Sequence, residues 1–162
     1  APRTADAARA WGEAAPTGWV GGACLLARGA ALAQCSPDFV LDPDFQMYSE
    51  ETDLCYRLAA AGWPTYFVPQ AEVVHHSGQS SKQAAVRTAR LLHGSKLLFF
   101  EKHYGRRHAR LLRAGVGITS GLKWLALSLL ALAPSPRRAA WSVQRDRQRA
   151  VFAYPHGVGK AK

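Results

Sequence analysis

The order of apolar and polar positions predicts short elements, broken by Gly and Pro, in the first half of the chain. Residues 23–27 are apolar and follow Gly21 and Gly22, a pattern that predicts a short buried strand. The stretch "GAALAQ" that follows predicts one or two helical turns. "CSPDFVLDPDF" is interrupted by Pro37 and Pro43 and therefore predicts a loop.

A helix of about three turns is predicted next. Ser49 is a suitable N-cap, Glu50 and Glu51 fall in the first turn, and an apolar stripe follows them. Gly62 predicts a left-handed helix end, and Pro64 prevents the helix from continuing. "TYFVP" and "AEVVHH" then predict two short extended segments.

The second half of the chain has the pattern of long helices. A helical pattern runs from residue 84 to 104 and ends at Gly105. Residues 116–133 are almost wholly apolar but contain Lys123, and Pro134 closes them. This length borders on a spanning helix, but the central lysine and the basic flanks fit a helix in the membrane interface at least as well. A core helix capped by arginines is the alternative.

The two halves of the 162-residue chain differ in charge, which the formal net charge of +10 does not show. Residues 1–81 carry four Lys or Arg and nine Asp or Glu, whereas residues 82–162 carry seventeen basic residues and two acids. We therefore expect different partners for the two halves. An acidic half suits a metal ion or proton transfer, and a basic half suits an anionic surface.

The cysteines indicate the cellular compartment of the protein, and the first residues indicate whether the chain is part of a longer one. Cys24, Cys35 and Cys55 are odd in number and match no CxxC spacing, so neither a disulfide framework nor a CxxC metal or redox site is expected. This usage indicates the cytosol. The chain begins at Ala1 without a methionine and without a signal-peptide pattern, which predicts an internal piece of a longer protein.

Three carboxylates, Glu50, Glu51 and Asp53, lie within four positions at the start of the predicted helix. Clustered carboxylates can bind a hard cation or take a proton from a hydroxyl. Glu50 and Asp53 are three residues apart on one face and could share a partner, while Glu51 points elsewhere. The plainer interpretation is that acids at a helix N-terminus only stabilise the helix dipole.

His75 and His76 end an apolar extended segment, so one should face inward and the other outward. A neutral imidazole near carboxylates could complete a metal site. The pair could equally be one packed and one solvated residue, and spacing does not separate the two interpretations.

Three motifs in combination resemble a known family. "GGAC" at 21–24, "FQMYSEETDLCYRLAAAGW" and "YFVPQAEVVHHSGQSS" are similar to the C-terminal half of bacterial family 2 glycosyltransferases, in particular rhamnosyltransferase-like enzymes of cell-wall and exopolysaccharide assembly. The resemblance covers about residues 17–104 and implies an α/β fold of the GT-A (Rossmann-like) type. It divides the chain into a linker or remnant at 1–16, the acceptor side of the transferase domain at 17–105, and a basic tail at 106–162.

The resemblance also implies roles for individual residues. Glu51 would be the catalytic base that deprotonates the acceptor, with Glu50 and Asp53 in support. A divalent cation, Mg or Mn, would be bound by His75 or, less favourably, His76. The pocket for a nucleotide-sugar donor and a lipid-linked or polysaccharide acceptor would be lined by four residues of the first motif: Trp19, Gly21, Gly22 and Ala23.

The chain departs from the family pattern in two places. Family members carry a preceding half with nucleotide-binding strands and an Asp-x-Asp metal motif, and this sequence has no such half, so we expect the chain alone to be inactive. "DPD" at 42–44 has the letters of that motif but precedes the acidic helix, so it is interpreted as a turn. Phe39 and Val40 stand where the family has two glycines.

The basic tail is interpreted as carrying an apolar membrane-surface helix at 116–133, which would place the enzyme at the cytoplasmic face of the bacterial inner membrane. A nucleic-acid-binding module is a rival because "KHYGRRHARLLR" could contact phosphates. That rival explains neither the acidic helix nor the apolar tail, so no nucleic acid is expected. A non-catalytic fragment that only docks to a membrane or to a partner is the third interpretation.

Overall fold

The structure, a computed structural model, describes residues 12–35, 38–74, 85–132 and 134–153. The chain divides into two compact units: the first comprises residues 1–43 and 50–77, and the second comprises residues 44–49 and 78–162. The first unit contains β1 (Ala15–Thr17), α1 (Gly29–Cys35), α2 (Glu50–Ala60) and β2 (Thr65–Phe67). The second contains α3 (Ala85–Tyr104), α4 (Arg106–Leu130) and α5 (Arg138–Phe152).

The sheet of the first unit is a two-stranded antiparallel ribbon. β1 pairs with β2 so that Ala15 faces Phe67 and Thr17 faces Thr65. The prediction of an extended segment is confirmed for β2, whereas β1 begins inside the stretch predicted as a linker. A side-chain bond from Gln70 Nε2 to the carbonyl of Gly12, 2.7 Å long, continues the pairing beyond the ribbon.

The predicted buried strand at 23–27 was wrong. Within the described residues these positions form neither helix nor strand, and Leu26 is fully exposed. A strand needs a neighbour to pair its backbone N–H and C=O groups. The described sheet consists only of β1 and β2, which pair with each other. An apolar run by itself does not supply that neighbour.

Helices α1 and α2 form the core of the first unit. Ala31, Leu54 and Leu58 are buried, and four partly buried side chains pack on them: Leu25, Leu32, Cys35 and Trp63. Trp63 Nε1 donates a 2.8 Å hydrogen bond to Gln34 Oε1. The predicted turns of α1 are thereby confirmed and are fixed against the end of α2.

In the second unit the three long helices pack on one another. The prediction of a helix to residue 104 is confirmed: α3 ends at Tyr104, and Gly105 follows with φ of 83°. Segment 44–49 belongs to this unit. Its Phe45 is buried beneath the ammonium of Lys102, 5.5 Å from the ring centroid, and Ser95 Oγ donates to the Met47 carbonyl at 2.6 Å.

The predicted bounds 116–133 of the apolar helix were wrong. α4 starts ten residues earlier, at Arg106, and ends at Leu130. Six of the eight residues of the upstream "RRHARLLR" are Arg or Leu, which are strong helix formers, so the helix extends into the basic flank. Among the described residues, no helix combines the length and the apolar character that crossing a membrane would require.

Helix α5 was not predicted from the sequence. Five of its fifteen residues are Arg or Asp, which hides the apolar period, yet Ala150 and Val151 are buried. Phe152 packs against α4 at Gly121, where an added Cβ would meet the ring at 3.3 Å. The missing side chain of Gly121 lets this aromatic ring approach α4.

Candidate active site

Helix α2 carries the acidic cluster, and its end has a well-defined structure. Gly62 N–H donates to the Ala59 carbonyl at 3.0 Å and Trp63 N–H to the Leu58 carbonyl at 2.9 Å. These two bonds form a Schellman motif, which requires the left-handed conformation that Gly62 adopts with φ of 86°. The predicted helix end at Gly62 is therefore confirmed, and the helix axis is fixed at the end opposite to the acids.

The start of α2 differs from the predicted Ser49 cap. A capping residue normally has extended backbone angles. Ser49 instead has φ of 67°, and Tyr48 before it has φ of 69°. Two consecutive non-glycine residues in the left-handed region cost about 1–3 kcal/mol each, and such strain is concentrated at functional sites in proteins. The strain lies directly before the first two acids.

An ion pair anchors the middle of α2. The Asp53 side chain is fully buried, and Arg57 Nε donates to its Oδ2 at 2.7 Å. The other two guanidinium nitrogens donate to the carbonyls of Val40 at 2.9 Å and Cys35 at 3.4 Å. Arg57 therefore joins α2 to the last residue of α1 and to Val40 in the loop that follows.

This network gives Asp53 a positioning function within the first unit. It holds the guanidinium that fixes the loop. Arg57 was not singled out from the sequence, although its spacing of four residues from Asp53 on one helix is the spacing of an ion pair.

Glu50 and Glu51 have a different environment from Asp53. The Oε2 atom of each is buried and accepts no hydrogen bond from the described residues. Burying a carboxylate oxygen without a donor is unfavourable, and a hydroxyl or a cation would relieve it. The two glutamates therefore have the capacity to bind a ligand, whereas Asp53 is occupied by Arg57.

The predicted pocket segment approaches this cluster through one residue. A Cβ added at Gly22 would lie 3.9 Å from the Cβ of Glu51, an ordinary contact distance. The backbone of Gly22 therefore lies beside Glu51. Gly21 and Ala23 are exposed, and Trp19 is 54% exposed, with its carbonyl accepting a 3.3 Å bond from Thr17 Oγ1.

The predicted metal ligands His75 and His76 lie outside the described residues. Within the described part of the chain, no group of three His, Cys, Asp or Glu side chains comes together to hold a metal ion. The described part of the proposed cation site thus consists at most of the carboxylates of Glu50 and Glu51.

Asp42 is a buried acid that the sequence analysis interpreted only as part of a turn. It is 4% exposed, although the three residues before it, Phe39, Val40 and Leu41, are exposed. Its position in a Pro-containing loop gave no signal of burial. The loop therefore directs one carboxylate inward, and the loop sequence alone does not predict this.

Comparison with known proteins gives the family. Residues 6–94 match the model of the family described as "Glycosyltransferase like family 2". Two curated relatives, from the CDC 1551/Oshkosh and H37Rv strains of Mycobacterium tuberculosis, are each named N-acetylglucosaminyl-diphospho-decaprenol L-rhamnosyltransferase. Each is 37% identical over 91 residues.

Those 91 residues are 56% of this chain and 29% of each relative, so the matched stretch spans under a third of the relatives' length. No solved structure matches the chain significantly. The family match extends over more than half of the chain and includes the acidic helix and Gly22. The chain therefore belongs to glycosyltransferase-like family 2.

Proposed function

We propose that this protein transfers a sugar from a nucleotide-sugar donor to an acceptor hydroxyl, with Glu51 as the base. One observation carries the proposal: Glu51 has a buried carboxylate oxygen without a hydrogen-bond partner among the described residues, beside the bare backbone of Gly22. A carboxylate within hydrogen-bond distance of a hydroxyl can remove its proton. Because position 22 is a glycine, no side chain from it stands beside Glu51, and the acceptor would approach from this side.

The reaction is an inverting displacement. Glu51 takes the proton of the acceptor hydroxyl as the acceptor oxygen bonds to the anomeric carbon of the donor sugar. The bond from that carbon to the diphosphate oxygen breaks, and its electron pair leaves with the nucleoside diphosphate. Protonated Glu51 then loses its proton to solvent, which restores the carboxylate.

Other residues of the cluster have supporting functions. Asp53 and Arg57 hold α2 and the loop that follows α1 in one arrangement, so the direction of Glu51 is fixed before substrate binds. Glu50, with its own unpaired buried oxygen, could contribute a carboxylate to a divalent cation, Mg or Mn, together with His75 or His76. When bound, that cation would supply positive charge to the diphosphate.

The names of the two relatives guide the choice of substrates. Both relatives are named for L-rhamnose transfer to a decaprenol-linked diphosphate sugar. We propose rhamnose as the sugar and a lipid-linked or polysaccharide acceptor for this chain. The matched residues would form the acceptor side of a GT-A domain, in agreement with the resemblance of the three motifs.

The second unit suits the surface on which a lipid-linked acceptor is found. Helix α4 has an exposed apolar stripe of five residues at helical spacing: Leu111, Ile118, Leu122, Leu125 and Leu129. Arg107, Arg110 and Lys123 are exposed on the same helix. We propose that the exposed apolar stripe lies on the anionic cytoplasmic face of the bacterial inner membrane.

The test of the base is Glu51→Gln in the protein at its natural full length. Glutamine keeps the shape but cannot accept the proton, so we expect transfer to fall at least about a hundredfold. Binding of the donor should remain, as measured by calorimetry. Glu13→Gln, which changes an exposed acid of the same unit, is the matched control and should retain full activity. Full transfer by Glu51→Gln would exclude this residue as the base.

A further inference from the structure

A cavity of about 160 Å³ lies within the second unit, where α3, α4 and α5 meet. Its lining combines two kinds of side chain. The basic residues His93 and Lys96 line it from α3, and Arg113 lines it from α4. Val116, Val151 and Phe152 are among the apolar side chains of the wall.

The charge around this cavity has one sign. None of the lining residues carries a carboxylate. Glu101 and Asp146, two acids of the same unit, are engaged by Arg106 and Arg145. Burial, and next the positive charge of Lys96, lower the pKa of His93. The positive charge therefore comes from Lys96 and Arg113, and the His93 imidazole adds a hydrogen-bond donor; this combination suits a phosphate or diphosphate group.

The lining of the cavity includes side chains of different exposure. Lys96 and Phe152 are exposed, whereas Val151 is buried. Apolar cavities of about 150 Å³ admit a six-carbon ring such as benzene. The cavity therefore has room for about one five-carbon isoprene unit next to the cations, and not for a whole lipid chain.

We propose that this cavity binds the first isoprene unit of a polyprenyl diphosphate lipid, with the diphosphate held outside it by the exposed Lys96 and by Arg113, as a site for the lipid part of the acceptor. The choice of an isoprenoid lipid rests on the function proposed above. The combination of cations and apolar side chains in one lining fits a phosphate that carries an apolar chain. A free phosphate would leave the apolar part of the cavity unused.

The cavity and the exposed apolar stripe lie on different faces of α4. At 100° per residue, Arg113, Val116 and Gly117 project to the side opposite Ile118, Leu122 and Leu125. Substitutions on one face therefore leave the other unchanged. Lipid-phosphate binding in the cavity and membrane binding along the stripe can be tested separately.

Gly117 offers a direct way to fill the cavity. It lines the cavity, and a Cβ added there meets no atom within 4 Å. Gly117→Leu should fill the space that the isoprene unit would occupy. Gly115→Leu is the matched control, because Gly115 lies on the same helix, is exposed, and also has no atom within 4 Å of an added Cβ.

The experiment is calorimetric titration of the whole chain with geranyl diphosphate, inorganic pyrophosphate and geraniol. We expect geranyl diphosphate to bind at least tenfold more tightly than either of the other two. Gly117→Leu should abolish this preference, whereas Gly115→Leu should keep it. Lys96→Gln should weaken binding about tenfold, and Lys123→Gln, which removes an exposed charge outside the cavity, should not weaken it.

Equal binding of pyrophosphate and geranyl diphosphate would overturn the proposal, since it would show an anion site without a lipid part. Unchanged binding in both Gly117→Leu and Lys96→Gln would overturn it as well. Lys96 is exposed, so its variant tests the site even if Gly117→Leu fails to fold.

Two measurements together separate this proposal from the proposed function: sugar transfer by Glu51→Gln, and the preference of the unaltered chain for geranyl diphosphate. Loss of transfer in Glu51→Gln with no preference for geranyl diphosphate in the unaltered chain would refute only the lipid site. Normal transfer in Glu51→Gln, with the preference for geranyl diphosphate present, would refute only the base.

Discussion

Glu50, Glu51 and Asp53 lie within one helical turn, yet the structure gives them different environments. Asp53 is fully buried and bonded to Arg57, whereas each glutamate has a buried oxygen without a partner among the described residues. Sequence alone predicted the cluster and its position at a helix start. It could not separate the three acids, because the partners of Arg57 are 17 and 22 residues away in the chain.

At this scale we predict that Asp53→Asn destabilises the first unit. The substitution leaves the Arg57 guanidinium, which is only 18% exposed, without its carboxylate. The expected loss in free energy of unfolding is about 2–3 kcal/mol. Urea unfolding followed by circular dichroism measures it.

The matched control for this prediction is Glu101→Gln, which breaks the exposed pair with Arg106 at 3.1 Å. An exposed pair contributes less than about 1 kcal/mol. Equal losses in the two variants would show that the buried ion pair does not anchor α2.

At the scale of elements, start and stop signals were the most reliable part of the sequence. Gly62 and Gly105 were predicted to end helices, and both have the left-handed angles that glycine adopts without steric cost. The strand at 23–27 and the bounds of the apolar helix were wrong. A strand depends on a partner elsewhere in the chain, and basic residues can extend a helix as readily as they can flank it.

We predict that Gly62→Ala destabilises the first unit by about 1 kcal/mol, because a side chain at φ of 86° is strained even where space is open. Gly115→Ala, in the middle of α4, should instead stabilise the second unit by up to about 1 kcal/mol, because alanine is the better helix former. Thermal unfolding by circular dichroism compares the two variants. If both variants changed the stability by the same amount and in the same direction, the Schellman motif at the end of α2 would be contradicted.

On the scale of the whole molecule, the division of charge seen in the sequence corresponds approximately to the two structural units. The first unit holds the acidic helix, and the second holds the three long helices with most of the basic residues. Segment 44–49 is the exception, since it lies in the acidic half but belongs to the second unit. This could not be predicted from the sequence, because Phe45 and Met47 are placed by contacts with α3.

If the exposed apolar stripe binds a membrane, the double variant Leu122→Gln, Leu129→Gln should bind anionic phospholipid vesicles at least about tenfold more weakly, because two apolar side chains no longer enter the lipid. Cosedimentation with vesicles measures this. Leu26→Gln, at a fully exposed leucine of the first unit, is the control and should bind as the unaltered chain does. Unchanged binding by the double variant would argue against the membrane surface.

The sequence by itself determined the acidic helix start, the glycine helix ends, the charge division and the resemblance to the family, because each depends on residues close together in the chain. The tertiary structure decided which acid is paired, that Gly22 lies beside Glu51, and that three basic residues converge on one cavity. These features depend on side chains brought together from separate helices and loops, and local spacing does not encode that approach.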